Sequence, residues 1–87
     1  MTQPATADEV AAIARMIAAA GLVEGFGHVS ARDGVDAFLI TSTAPLAGQS
    51  ASDILRCRIS DAAVLDGDAG RRPLEAPLHA AVYRVRR

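Results

Sequence analysis

Residues 28–41, His28-Val29-Ser30-Ala31-Arg32-Asp33-Gly34-Val35-Asp36-Ala37-Phe38-Leu39-Ile40-Thr41, decide the fold. His28 to Arg32 alternate apolar and polar, the pattern of a strand with one wet face. Asp33-Gly34 is a turn signal, and Ala37-Phe38-Leu39-Ile40-Thr41 follows as a more apolar strand, so a hairpin turning at residues 33–36 is expected. The sheet therefore starts antiparallel. Upstream, Thr6-Ala7-Asp8-Glu9 offers a capping box, and Val10, Ile13, Ala14 and Ile17 recur at helical spacing until Gly21 stops the helix. Gly21, Gly25 and Gly27 mark a loop between helix and hairpin.

Downstream, Pro45 and Gly48 mark a loop, Ser50 caps a short helical turn, and residues 56–60 alternate as a third strand with Cys57 and Ile59 on one face. Val64-Leu65 extends that ladder before the turn Asp66-Gly67-Asp68-Ala69-Gly70. Pro73 is expected to open a last helix, with Pro77 in its first turn and Leu78, Val82 and Val85 as its apolar stripe. Arg84, Arg86 and Arg87 sit at its negative end.

Composition narrows the function. At 87 residues there is room for one small domain, and a net charge of −1 gives no electrostatic footprint for nucleic acid. No apolar run approaches the roughly 20 residues that span a bilayer, and residues 1–9 lack a signal-peptide pattern, so no membrane association and a cytoplasmic location are expected. Cys57 is the single cysteine, which excludes an internal disulfide and a cysteine-rich zinc site. The chemistry-bearing candidates are His28 beside Gly27, the hydroxyl run Thr41-Ser42-Thr43, and Glu75 with His79, four apart on one helix face. On spacing alone the last pair reads first as a solvated surface pair, and the hydroxyls as groups that satisfy loop backbone.

Three stretches in order carry a more specific signal. They are Gly21-Leu22-Val23 with Gly27-His28-Val29-Ser30-Ala31-Arg32, then Phe38-Leu39-Ile40-Thr41-Ser42-Thr43 with Ser52-Asp53-Ile54, then Glu75, His79, Tyr83 and Arg86 spaced along the last helix. Together they resemble the class II aldolase and adducin head family, in the branch with Gly-His where sugar-phosphate aldolases carry Gly-Asn. The resemblance implies a three-layer α/β/α domain with a mainly antiparallel sheet, assembled as a homo-oligomer with sites at subunit boundaries. It implies metal-assisted carbon–carbon cleavage in which a divalent ion, often zinc, polarises the substrate and a glutamate moves a proton. Glu75 matches that catalytic glutamate, Gly27, His28 and Thr43 match substrate-binding positions, and His79 matches a structural one.

The family's three metal histidines lie beyond the matched helix, so residues 1–87 are expected to be the N-terminal portion of such a domain and to hold no metal of their own. Where phosphate-binding family members have serines before the glutamate, this chain has Pro73 and Leu74, which points to a non-phosphorylated hydroxy or carboxylated substrate and to aldolase or decarboxylase chemistry. The expected partners are a small-molecule substrate and either further copies of the chain or a complementing fragment. The alternatives are a non-catalytic, adducin-like assembly module and an inactive gene remnant.

Overall fold

A computed structural model describes residues 6–21 and 27–86. Leu22, Val23 and Gly25, part of the expected glycine loop, lie outside the described residues, as does Arg87.

Helix α1 spans Ala7–Ala19. Its capping box forms as the sequence predicts: the Glu9 amide donates to Thr6 Oγ1 (3.2 Å) and the Thr6 amide donates to the Glu9 carboxylate (3.0 Å). Gly21 follows at φ +70°, the left-handed conformation that ends helices. The buried face is Val10, Ala11 and Ala14. Ile13, expected to face inward, is 48% exposed. The small Ala11 side chain takes its place and lets the helix approach Leu39 and Ile54 closely.

The hairpin is β1, Ser30–Asp33, and β2, Ala37–Ile40, in antiparallel register from Ser30 opposite Ile40 to Asp33 opposite Ala37. Gly34 supplies φ +78° in the turn. Strand β3, Leu55–Arg58, pairs with β2, and β4, Val64–Asp66, pairs with β3, giving a four-stranded antiparallel sheet in the order β1-β2-β3-β4. β3 is shifted from the expected 56–60, because Ile59 leaves the ladder for a turn while its amide still donates to Asp36 O (2.7 Å). Every residue of β2 is buried. Strand side chains alternate between faces, so Leu39 packs with Val10 and Ile54, while Phe38 and Ile40 pack with Leu55, Cys57 and helical Ala76 and Ala80. Cys57 is a free, buried thiol, and burial pushes its pKa up against the opposing charge of Arg72.

Helix α2 spans Ala76–Val85, with Glu75 at its N-cap and Pro77 in the first turn. Two expectations are corrected here. Pro73 does not open the helix; it is buried ahead of it, and its carbonyl accepts from the Ala76 amide (3.1 Å) to close a tight turn. The stripe Leu78, Val82 and Val85 does not face the core: these side chains are exposed, Leu78 at 67% and Val85 at 82%. Ala76 and Ala80 are buried instead, with Tyr83 packed on the same cluster. Small side chains let α2 come close enough to the sheet for Tyr83 to stack on Phe38 at 5.3 Å between ring centroids. Among the described residues the result is an α/β arrangement of two α-helices and one four-stranded antiparallel sheet. Among the described residues no helix is long and apolar enough to cross a membrane.

Candidate functional site

The β1–β2 ladder continues one step past the strands, because the Thr41 amide donates to Val29 O (3.0 Å). That step fixes His28 beside Thr41. Thr41 Oγ1 accepts from the Val29 amide (3.1 Å) and lies 3.3 Å from His28 Nδ1. The opposite ring nitrogen, His28 Nε2, lies 3.3 Å from Glu75 Oε2. The His28 side chain is largely buried, whereas that of Glu75 is 49% exposed. A buried imidazole thus reaches from the strand end to a carboxylate open to solvent.

Thr43 and Pro73 complete the surroundings. The Thr43 amide donates to Arg71 O (3.0 Å), which ties the loop after β2 to the segment leading into α2. Arg71 in turn pairs with Asp53 at 3.2 Å. Hydrogen bonds from Ser50, helped by Arg71, hold the Asp53 carboxyl below its usual pKa. Between these segments lies a cavity of about 350 Å³, lined by Gly27, His28, Thr43, Leu46, Pro73 and Glu75 among others. All four site residues expected from the sequence therefore meet at one cavity. A larger hollow of about 500 Å³ lies between Arg32, Arg58, Tyr83 and Arg84, away from these residues. Its size does not make it the better candidate, since its arginines are engaged: Arg32 with Tyr83 O and Arg86 O (2.6 and 2.7 Å), Arg84 with Ile59 O (2.8 Å), Arg58 with Asp61 (3.2 Å).

Gln49 is a residue that sequence reasoning missed. It is buried, and its amide nitrogen donates to Ala44 O (2.8 Å) and Ser42 O (3.3 Å), while Arg15 reaches from α1 to Gln49 O (2.6 Å). Gln49 therefore sets the course of the loop that carries Thr43. A lone amide between Pro45 and Ser50 makes no periodic signal, so nothing in the sequence marked it.

His79 does not join Glu75 as a side-chain pair. Ser30 Oγ sits 2.6 Å from His79 Nδ1 and 2.8 Å from the Tyr83 hydroxyl, and the Arg32 guanidinium lies over the Tyr83 ring at 5.4 Å. β1 and α2 are thereby latched together. Burial, with a smaller contribution from His28, pushes the His79 pKa below the ordinary histidine value, and Glu75 opposes the shift. Among the described residues no three His, Cys, Asp or Glu side chains converge as a metal site.

A family model described as Class II Aldolase and Adducin N-terminal domain matches residues 8–87. The chain belongs to this family. No curated protein and no solved structure matches it. In this class II aldolase and adducin domain, the Gly27-His28 segment, the Thr43 loop and the Glu75 turn are the three pieces of chain that meet at the cavity. Ser30, Arg32, His79 and Tyr83, from the same motifs, hold β1 against α2.

Proposed function

We propose that the chain carries the substrate-binding and proton-transfer side of a carbon–carbon lyase, an aldolase or decarboxylase, acting on a small, non-phosphorylated hydroxy or carboxylated compound. The observation that carries this reading is the Glu75–His28 contact at 3.3 Å on the wall of the cavity that Gly27 and Thr43 also line. Glu75 is open enough to meet a substrate, and its carboxylate takes a proton from, or returns one to, the reacting carbon or its oxygen. His28 orients that carboxylate and faces substrate oxygen. Thr43, an exposed residue in the cavity wall, binds a substrate oxygen through its hydroxyl, and Pro73 and Leu46 supply an apolar wall that favours a compact organic acid over a phosphate ester.

The family resemblance implies a divalent metal that stabilises the charge formed as the carbon–carbon bond breaks. Among the described residues no set fits one: His28 and Glu75 are two adjacent donors where a catalytic zinc site takes about three protein ligands, and no third His, Cys, Asp or Glu side chain converges with them. The proposed steps therefore stay with proton transfer and substrate binding. We place the domain in a three-layer α/β/α arrangement, assembled as a homo-oligomer in the cytoplasm, a setting that suits a lone buried thiol.

The test is Glu75→Gln, which removes the proton acceptor with little change of shape. In the assembled protein, turnover of a small hydroxy acid is expected to fall by about 10²-fold or more while oligomer size stays the same. Equal turnover in both proteins rejects Glu75 as the catalytic residue. A second reading, a non-catalytic adducin-like assembly module, is favoured by the exposed Leu74, Leu78 and Val82; saturable assembly with no ligand binding would support it.

A further inference from the structure

Thr41 is wholly buried, and its hydroxyl has two partners, the Val29 amide at 3.1 Å and His28 Nδ1 at 3.3 Å. A backbone amide can only donate, so the hydroxyl oxygen accepts there and its hydrogen is left for His28. The opposite arrangement, with Nδ1–H donating to Thr41, would leave a buried hydroxyl hydrogen without an acceptor, which native structures avoid. The hydrogen bond made by one ring nitrogen of a histidine decides which nitrogen keeps the proton. With Nδ1 accepting from Thr41, the proton of neutral His28 sits on Nε2, which lies 3.3 Å from Glu75 Oε2.

We propose that Thr41 is a positioning residue: its hydroxyl fixes His28 as the Nε2–H tautomer, so that His28 donates to the Glu75 carboxylate and holds it aimed at the cavity. The consequence for catalysis rests on the lyase reading above, whereas the tautomer does not. The hydroxyl run was singled out in the sequence as loop-satisfying. Thr41 does satisfy the Val29 amide, and the same oxygen carries the instruction to His28. Thr43, two residues on, is an exposed residue at the cavity and Ser42 between them is buried against Gln49, so Thr41 alone of the three hydroxyls reaches His28.

The experiment is a two-bond ¹H–¹⁵N correlation spectrum of the histidine rings in the full chain at a pH where His28 is neutral, with His28 assigned by loss of its signals in His28→Gln. The expected result is a single Nε2–H form of His28. Thr41→Val should convert it to a mixture of both tautomers, and Thr41→Ser should restore the single form. In an active assembly Thr41→Val should lower kcat about 10-fold with KM within about 2-fold, and Thr41→Ser should recover most of that loss. A wild-type Nδ1–H form, or an Nε2–H form unchanged in folded Thr41→Val, overturns the proposal. If Thr41→Val does not fold, the wild-type tautomer and its retention in Thr41→Ser decide. A tautomer that obeys Thr41 in a protein with no lyase turnover upholds the positioning role and rejects the lyase reading.

Discussion

His79 and Glu75 share a helix face, yet the packing of α2 on β1 gives them different work. Glu75 sits in the turn where α2 begins, half in solvent, while His79 is drawn under the helix by Ser30. The lowered pKa of His79 has a sign that can be measured. Below the ordinary value of 6.5 the unfolded chain binds a proton that the folded protein resists, so stability is full above that pH and falls as pH drops toward the folded value. Urea unfolding of the wild type is expected to show this loss on going from neutral pH toward pH about 5, and His79→Gln to show a flatter profile over the same range. An unchanged slope in His79→Gln would assign the titration elsewhere. Asp53 acts in a separate window: its lowered carboxyl pKa contributes stability above 3.8 that is lost on further acidification. Much of the candidate site was legible at this scale, because Gly27, His28, Thr43 and Glu75 stand in ordered motifs. Thr41 and Gln49 were not read as site-builders, since their roles depend on what lies across the fold: an imidazole from the preceding strand end and a loop carbonyl.

Among the elements, those specified by neighbouring residues came through the sequence well. The Thr6–Glu9 capping box and the hairpin turning at Gly34 each close over a few residues, so local chemistry suffices. The facing of α2 was not legible, and the reason is physical. Leu78, Val82 and Val85 form one apolar stripe at helical spacing and Ala76, Ala80 and Tyr83 form another. Periodicity cannot choose between them; the close approach of helix to sheet does, and it selects alanine. Two substitutions separate the faces. Ala80→Leu places added volume against the Phe38 cluster and is expected to cost about 1–3 kcal/mol, whereas Leu78→Ala on the exposed face should change stability by no more than about 0.5 kcal/mol. Thermal unfolding checks both, and a larger loss from Leu78→Ala would mean that α2 packs by its other face.

Among the described residues apolar surface is uncovered on one side of α2, at Leu74, Leu78, Val82 and Val85, and the sheet ends at β1 and β4. Contiguous apolar surface and unpaired strand edges favour association. Sedimentation is therefore expected to show oligomers or aggregates at micromolar concentration, and the pair Leu78→Ser with Val82→Ser to shift the chain toward monomer without unfolding it. A monodisperse wild-type monomer would contradict this. Of these residues Leu74 also lines the cavity of Gly27, His28, Thr43 and Glu75, whereas Leu78 and Val82 line a separate shallow hollow with Ser30, His79 and Tyr83. On the reading proposed above, the cavity beside Glu75 receives a small organic acid. The most direct test is titration of the ¹⁵N-labelled chain with glycolate and, separately, with inorganic phosphate. Saturable shifts centred on the amides of Gly27, His28, Thr43 and Glu75, stronger for glycolate than for phosphate, are the expected result. Shifts centred instead on Arg32, Arg58 and Arg84, or no saturable shift with glycolate, would contradict it.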